Sequence, residues 1–188
     1  MTKTVAVIEG DDAAPEAVGP TIELLKSLDL NIEFTYPVVG DVAINDYGSP
    51  FPEEAKVLID DADTTFFGST SGSSGVALLY LRWGKGTYAN VRPTRYFPGA
   101  PSALANPEGV DFIIVRENLE DLYLRTEGDL KDLSNLGLIS KTSRKPIAEL
   151  GEGRYAIKAI TREGSERVIR FAFELARTRR HELTVTSK

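Results

Sequence analysis

The sequence predicts an α/β fold built on a largely parallel sheet. Two observations support this prediction: short apolar runs typical of strands, and stretches of helical periodicity that alternate with them. Residues 5–8 form a β-branched apolar run, which is typical of a buried strand. After Pro15, which is favourable in a first helical turn, Val18, Ile22 and Leu25 recur at helical spacing.

The elements that follow continue the alternation. Further strands are predicted over residues 32–36, 64–67, 88–91, 112–115, 154–161 and 183–186. A second helix is predicted to begin near Pro52, and a third over residues 163–180, because acidic residues come early and arginines late in that last segment. Residues 125–152 are polar, contain glycines and have no clean period, so we interpret them as an arm with short strands.

Three prolines, at positions 93, 98 and 101, indicate a boundary or crossover. We therefore predict two lobes, a first over residues 1–97 and a second over residues 98–188. The second lobe is expected to hold the arm and a final strand that carries Lys188.

Composition excludes several classes of function. The net charge of −6 argues against a general affinity for nucleic acid or for an anionic membrane. The chain has no cysteine and a single histidine, His181, so thiolate and histidine-cluster metal sites are excluded. The N-terminus has no signal-peptide pattern and no apolar run approaches the length of a membrane span, so we expect a cytoplasmic location.

Arginines at the ends of predicted elements are the first candidates for binding. Arg82 follows an apolar helical run, and Arg92 and Arg116 end strands. Guanidinium groups bind carboxylates through paired hydrogen bonds, so three of them in an acidic protein suggest a small substrate with more than one carboxylate. The phenol of Tyr123, seven residues after Arg116, could donate a proton. The alternative is that each arginine is a surface residue paired with a nearby acid.

A glycine- and serine-rich loop over residues 68–75 lies between a predicted strand and the apolar run 76–81. Ser69, Thr70, Ser71 and Gly72 could cradle a cofactor phosphate through backbone N–H groups. The loop has neither the lysine of a Walker motif nor the spacing of a dinucleotide-binding motif. A plain flexible loop is the alternative.

Two segments together closely resemble the isocitrate/isopropylmalate dehydrogenase family of β-decarboxylating enzymes. They are Tyr-Ala-Asn-Val-Arg-Pro-Thr-Arg over residues 88–95 and Val-Arg-Glu-Asn-Leu-Glu-Asp-Leu-Tyr over residues 115–123. Residues 9–16 are similar to the family's opening loop, with Asp12 and Ala14 in place of glycines, and residues 167–188 are similar to the helix and strand that end in a lysine. The resemblance implies the two-lobed α/β fold of that family, truncated after the first part of the second lobe.

The resemblance also implies an activity: an oxidoreductase that oxidatively decarboxylates a 3-substituted malate with NAD or NADP and Mg or Mn. By position, Arg82, Arg92 and Arg116 would hold the malate carboxylates, Tyr123 would serve protonation, and Lys188 would assist removal of the hydroxyl proton. In this family the lysine acts in the partner's site, so the resemblance implies a homodimer. We expect no metal ligands in this chain and assign them to an absent C-terminal half.

Specificity signals in the apolar run conflict. Leu78 and Leu79 stand where isopropylmalate enzymes have leucines, and an apolar wall favours a hydrocarbon substituent. However, Gly75 replaces the acid that precedes those leucines, and residues 117–121 look more like isocitrate or homoisocitrate enzymes. We predict an isopropylmalate-like or broad substrate, with isocitrate or homoisocitrate as the alternative. A non-catalytic regulatory or ligand-binding chain is the alternative of another class. We expect the isolated chain to be inactive.

Overall fold

The computed structural model describes residues 1–186, and the chain divides into two compact units that meet between Lys85 and Gly86. The first unit contains a three-stranded parallel sheet in the order β2–β1–β3. Its strands are β1 (Lys3–Ile8), β2 (Ile32–Thr35) and β3 (Thr64–Phe67). Both pairings are parallel, which confirms the predicted parallel sheet in this unit.

Helices cover both faces of this sheet. The helices are α1 (Ala14–Ser27), α2 (Gly40–Tyr47), α3 (Glu53–Asp61) and the short α4 (Gly75–Leu79). Val5 and Val7 of β1 pack with residues of α1, whereas Ala6 and Ile8 pack with Ile59 of α3 and with α4. Because β1 is buried on both faces, its sequence is a continuous apolar run rather than an alternation.

The second unit is organised differently. Its main pairing joins β4 (Ala89–Arg95) to β5 (Asp111–Glu117) as an antiparallel ladder. The arm predicted over residues 125–152 contains β6 (Glu127–Asp129), which pairs antiparallel with β7 (Arg154–Ala156). Short 3-10 helices lie at Leu122–Leu124, Leu130–Leu136 and Ile147–Glu149. Helix α5 (Arg162–Arg177) contacts β5.

The predicted final strand over residues 183–186 is wrong, since these residues pair with no strand in the described part of the chain. The backbone N–H and C=O groups of a strand need hydrogen-bond partners, which a neighbouring strand usually supplies. Of the strand predicted over residues 154–161, the first three residues pair with β6, and Ala159 forms an isolated antiparallel bridge with Asp121. The predicted lobe boundary between residues 97 and 98 falls after β4, whereas the units divide before it, because β4 pairs with β5.

No helix among residues 1–186 is long and apolar enough to cross a membrane.

Candidate functional site

Arg92 and Arg116 lie on the same face of the β4–β5 ladder. Asn90 is the cross-strand partner of Arg116, and Arg92 follows Asn90 by two residues, so all three side chains share one face. Arg92 and Arg116 are therefore diagonal neighbours, roughly 7–8 Å apart and within reach of a common ligand. Ile114, the cross-strand partner of Arg92, is 49% exposed on this face. The face thus combines two cations with an apolar side chain.

The guanidinium of Arg116 is held on several sides. It donates hydrogen bonds to the hydroxyl of Tyr123 and, at 3.0 Å, to Oδ1 of Asn118. Its Cζ lies 4.9 Å from the centroid of the Tyr123 ring, which adds a cation–π contact. Within the described residues its Nε is buried without a hydrogen-bond partner. The predicted arginine–tyrosine association is therefore present in the second unit.

Asn118 is a residue of this site to which sequence reasoning assigned no role. It is buried, and its side chain accepts from Arg116 while donating to the carbonyl of Thr87 at 3.1 Å. Its backbone N–H donates to the carbonyl of Tyr88 at 2.9 Å. Asn118 therefore ties Arg116 to the chain that enters β4. The sequence feature that could have indicated this role is the position of Asn118 between Arg116 and Tyr123.

The loop that presents Tyr123 has an unusual backbone. Asp121 and Arg125 flank the short helix Leu122–Leu124, and both have positive φ, at 65° and 53°. Side chains with a Cβ rarely adopt this conformation, and it persists only where surrounding contacts hold it. The Asp121 carboxylate accepts from the N–H of Leu122, and its backbone N–H donates to the carbonyl of Ala159, both within 2.9 Å.

Two glutamates after β5 connect this loop to α5. Glu117 accepts from the N–H groups of Leu119 and Glu120, and it pairs with Arg167 of α5 at 3.5 Å. Glu120 accepts from the hydroxyl and the N–H of Thr161, the N-cap of α5, and these bonds lower the pKa of Glu120. Glu117 and Glu120 thus stabilise the loop that carries Tyr123.

Arg82, Leu78 and Leu79 belong to the first unit. Helix α4 continues into a π-helical turn, Tyr80–Gly84, which contains Arg82. Ala77 contributes to the core, and Tyr80 and Leu81 pack against it. Leu78 and Leu79 are only half-buried, and Leu78 lies four residues before Arg82 on the same side of the helix. The grouping of Arg82 with Arg92 and Arg116 stays a prediction, because it joins residues of different units.

The glycine–serine loop is ordered by acidic side chains. Oδ2 of Asp11 accepts from the hydroxyls of Thr70 and Ser74 and, at 2.8 Å, from the N–H of Gly72. Burial disfavours the ionised carboxyl, but these hydrogen bonds outweigh it and lower the pKa of Asp11. Gly72, one of the predicted phosphate donors, thus directs its N–H to a carboxylate.

Asp12 adds a second carboxylate to this loop. It has φ of 54°, at a position where the resembled family has a glycine, and its side chain accepts from the hydroxyl of Ser71. With Ser71 and Thr70 bonded to carboxylates, a phosphate bound here would have to compete for those donors. The role predicted for Ser69, Thr70, Ser71 and Gly72 in cofactor binding stays a prediction.

Among residues 1–186, no three or more histidine, cysteine, aspartate or glutamate side chains group in a way that could hold a metal ion. Lys188 lies outside the described residues.

Comparison with known proteins adds independent information. The family model described as isocitrate/isopropylmalate dehydrogenase matches residues 4–188. The chain is 33% identical over 175 residues to the 3-isopropylmalate dehydrogenase of Archaeoglobus fulgidus, a match that covers 93% of this chain and 47% of that protein. It is 34% identical over 177 residues to the 3-isopropylmalate/3-methylmalate dehydrogenase of Methanocaldococcus jannaschii, with coverages of 94% and 46%.

The fold is similar to the crystal structure of isocitrate dehydrogenase from Methylococcus capsulatus, with a TM-score of 0.74 and 27% sequence identity. This similarity covers 97% of this chain and 49% of that one. The chain thus spans about half the length of the curated relatives it matches.

Proposed function

Because this chain belongs to the isocitrate/isopropylmalate dehydrogenase family, we propose that it binds the carboxylates of a 3-substituted malate in an oxidative decarboxylation. The full reaction would depend on NAD or NADP and on Mg or Mn. The observation that carries the proposal is the shared face of Arg92 and Arg116, with Tyr123 bonded to Arg116. Two guanidinium groups at this spacing can each take one carboxylate of a small diacid.

Tyr123 is the proton donor in this proposal. In its contact with Arg116 the phenol oxygen accepts a hydrogen bond, so this contact does not use the O–H group as a donor. The phenol would protonate the carbon from which carbon dioxide departs.

We propose that the metal ligands lie in the part of the relatives that this chain does not match. Among residues 1–186 no suitable cluster of ligands is found, so no step is derived through the metal. The nicotinamide cofactor would accept the hydride of the substrate when bound. We propose that Ser69, Thr70, Ser71 and Gly72, in the loop over residues 68–75, bind the phosphate of that cofactor through backbone N–H groups.

An isopropylmalate-like substrate, or a broad range of substituted malates, is favoured over isocitrate. Leu78 and Leu79 are half-buried outside the core cluster of the first unit, next to Arg82 in the helix. An apolar wall favours a hydrocarbon substituent, because a third carboxylate there would be left unpaired. Isocitrate or homoisocitrate is the alternative, and the similarity to an isocitrate dehydrogenase structure keeps it open.

We further propose a homodimer in which Lys188 acts in the partner's site. This follows from the family position of the lysine alone.

A binding module without catalysis is the candidate of another class. It is favoured by the lack of a metal-ligand cluster among residues 1–186. In that case the two arginines would bind a diacid and no turnover would follow.

Reconstitution separates the two functions. The chain is mixed with a polypeptide that spans the part of the Archaeoglobus fulgidus enzyme it does not match, and NAD(P)H formation is followed with 3-isopropylmalate, isocitrate or homoisocitrate. The dehydrogenase proposal predicts metal-dependent reduction that is fastest with 3-isopropylmalate. The same polypeptide with the relative's own N-terminal half is the positive control.

If the positive control is active while this chain gives no reduction with any substrate, the binding module is the better account. Reduction that is fastest with isocitrate would instead overturn the assignment of the apolar wall.

A further inference from the structure

The turn that carries Arg82 is a π-helix, which is rarely formed without a local cause. The N–H of Lys85 donates to the carbonyl of Tyr80 at 3.0 Å, five residues earlier, and this bond closes the wide turn. π-helical segments are rare, occur mostly as single turns within α-helices and are frequent at functional sites. Arg82 lies at the middle of the Tyr80–Gly84 turn.

Side chains at the two ends of this turn converge on one carboxylate oxygen. The hydroxyl of Tyr80 donates to Oδ1 of Asp60 at 2.5 Å, and Nζ of Lys85 lies 2.7 Å from the same oxygen. Asp60 belongs to α3, so the turn is tied at both ends to another helix of the same unit.

The ring of Tyr80 is fixed as well. The centroid of the Tyr80 ring lies 5.3 Å from the centroid of the Phe51 ring. The ammonium of Lys56 lies 5.7 Å from the same Tyr80 centroid. Gly84 packs directly against this ring, because a Cβ at that position would lie 2.6 Å from Cδ2 of Tyr80. The chain can make the wide turn around the ring only because residue 84 has no side chain.

We propose that Asp60, through Tyr80 and Lys85, is a positioning residue that sets the direction in which Arg82 is presented to the substrate. This inference rests on the proposed function for the role of Arg82, and on the contacts within the first unit for the clamp itself. Asp60 and Lys85 are more than one-third exposed, at 39% and 36%. Exposed ion pairs contribute little to global stability, so the clamp acts on the geometry of the turn rather than on the fold.

Hydrogen exchange tests the clamp without any ligand. The reporter is the amide of Lys85 in the full 188-residue chain, compared by NMR for wild type, Asp60→Asn, Tyr80→Phe and Asp61→Asn. Asp61 is the exposed neighbouring carboxylate and provides a control with the same change in charge. We expect roughly fivefold or greater loss of protection in the first two variants, in line with the net contribution of one hydrogen bond, and no change in the control.

Ligand binding tests the positioning. The affinity for 3-isopropylmalate is measured for wild type, Asp60→Asn, Arg82→Gln and the double variant. If Asp60 acts through Arg82, Asp60→Asn weakens binding in the wild-type background and has no further effect in the Arg82→Gln background. A destabilised fold would instead weaken binding in both.

Equal protection of the Lys85 amide in Asp60→Asn and Asp61→Asn overturns the clamp. An undiminished effect of Asp60→Asn in the Arg82→Gln background overturns the positioning role. Failure of the wild-type chain to bind the diacid overturns the proposed function, and the use of the clamp with it, while Lys85 exchange still decides whether the clamp exists.

Discussion

The guanidinium of Arg116 donates a hydrogen bond to the hydroxyl of Tyr123 and lies 4.9 Å from the centroid of its ring. In the proposed function this one side chain would serve both as a cation for a carboxylate and as a support for the proton donor. Asn118 fixes the other side of the same guanidinium. The most direct consequences of the proposed site therefore concern these residues.

Tyr123→Phe removes the phenol proton and keeps the ring. We expect the reconstituted enzyme to lose roughly 100-fold or more in kcat, the usual contribution of a positioned acid, with little change in KM. Steady-state kinetics measure both. Tyr47→Phe, at an exposed tyrosine of α2, is the matched control and is expected to leave kcat unchanged. An unchanged kcat in Tyr123→Phe would remove Tyr123 from the mechanism.

Asp11→Asn tests the acidic centre of the glycine–serine loop. The carboxylate accepts three hydrogen bonds from Thr70, Gly72 and Ser74, so loss of its charge should destabilise the fold by about 1–3 kcal/mol. Urea unfolding measures this change. Asp46→Asn, at an exposed aspartate of α2, has the same change in charge and is expected to be neutral.

Acid pH should have the same effect on wild type as this substitution. The folded pKa of Asp11 lies below its ordinary value of 3.8, so its stabilisation is present above that value and is lost as the pH falls through the folded pKa. The free energy of unfolding of wild type and Asp11→Asn should therefore converge at acid pH. A constant difference between them down to the lowest accessible pH would contradict the account.

The contact between Tyr80 and Asp60 should be lost at alkaline pH. The hydrogen bond to Asp60, with burial, raises the pKa of Tyr80 from 10.0 to about 12. The contact is therefore fully present below pH 10 and is lost as the pH rises through about 12. Phenolate absorbance should show a tyrosine that titrates late. Asp60→Asn should lower the pH at which this tyrosine titrates, and an unshifted late titration would argue against the contact.

Thr161→Ala tests the cap that joins Glu120 to α5. The Thr161 hydroxyl accepts from the N–H of Gly164 at 3.0 Å, and loss of such a cap costs about 1 kcal/mol. Thr161→Ser keeps the oxygen and serves as the control in urea unfolding. Equal stability of the alanine and serine variants would show that the cap contributes nothing.

Local patterns predicted a large part of this structure. The run at residues 5–8 and the period of Val18 and Ile22 lie in β1 and α1, which pack together as expected. The association of Arg116 with Tyr123 was also predicted, because a strand end and a short loop leave few places for the second residue. These predictions depend on neighbours in the chain, where sequence spacing determines geometry.

Contacts between distant segments were not predictable in the same way. The loop over residues 68–75 has the composition of a flexible segment, but Asp11, some sixty residues earlier, orders it. The strand predicted over residues 183–186 has a suitable pattern and no partner among the described residues. The π-turn at Tyr80–Gly84 is bonded to Asp60 of another helix. No hydrophobic period in the local sequence predicts such a turn.

The most direct test of the central claim is the affinity of the isolated chain for 3-isopropylmalate, measured by calorimetry with two matched variants. Arg92 and Arg95 are both exposed on β4, and the three-residue separation places them on opposite faces of the ladder. We predict that Arg92→Gln weakens binding about tenfold or more, as expected when a charged hydrogen-bonded pair is lost, and that Arg95→Gln has no effect. Equal affinity of both variants and wild type, or no binding by wild type, would contradict the proposed binding of the malate carboxylates by Arg92 and Arg116.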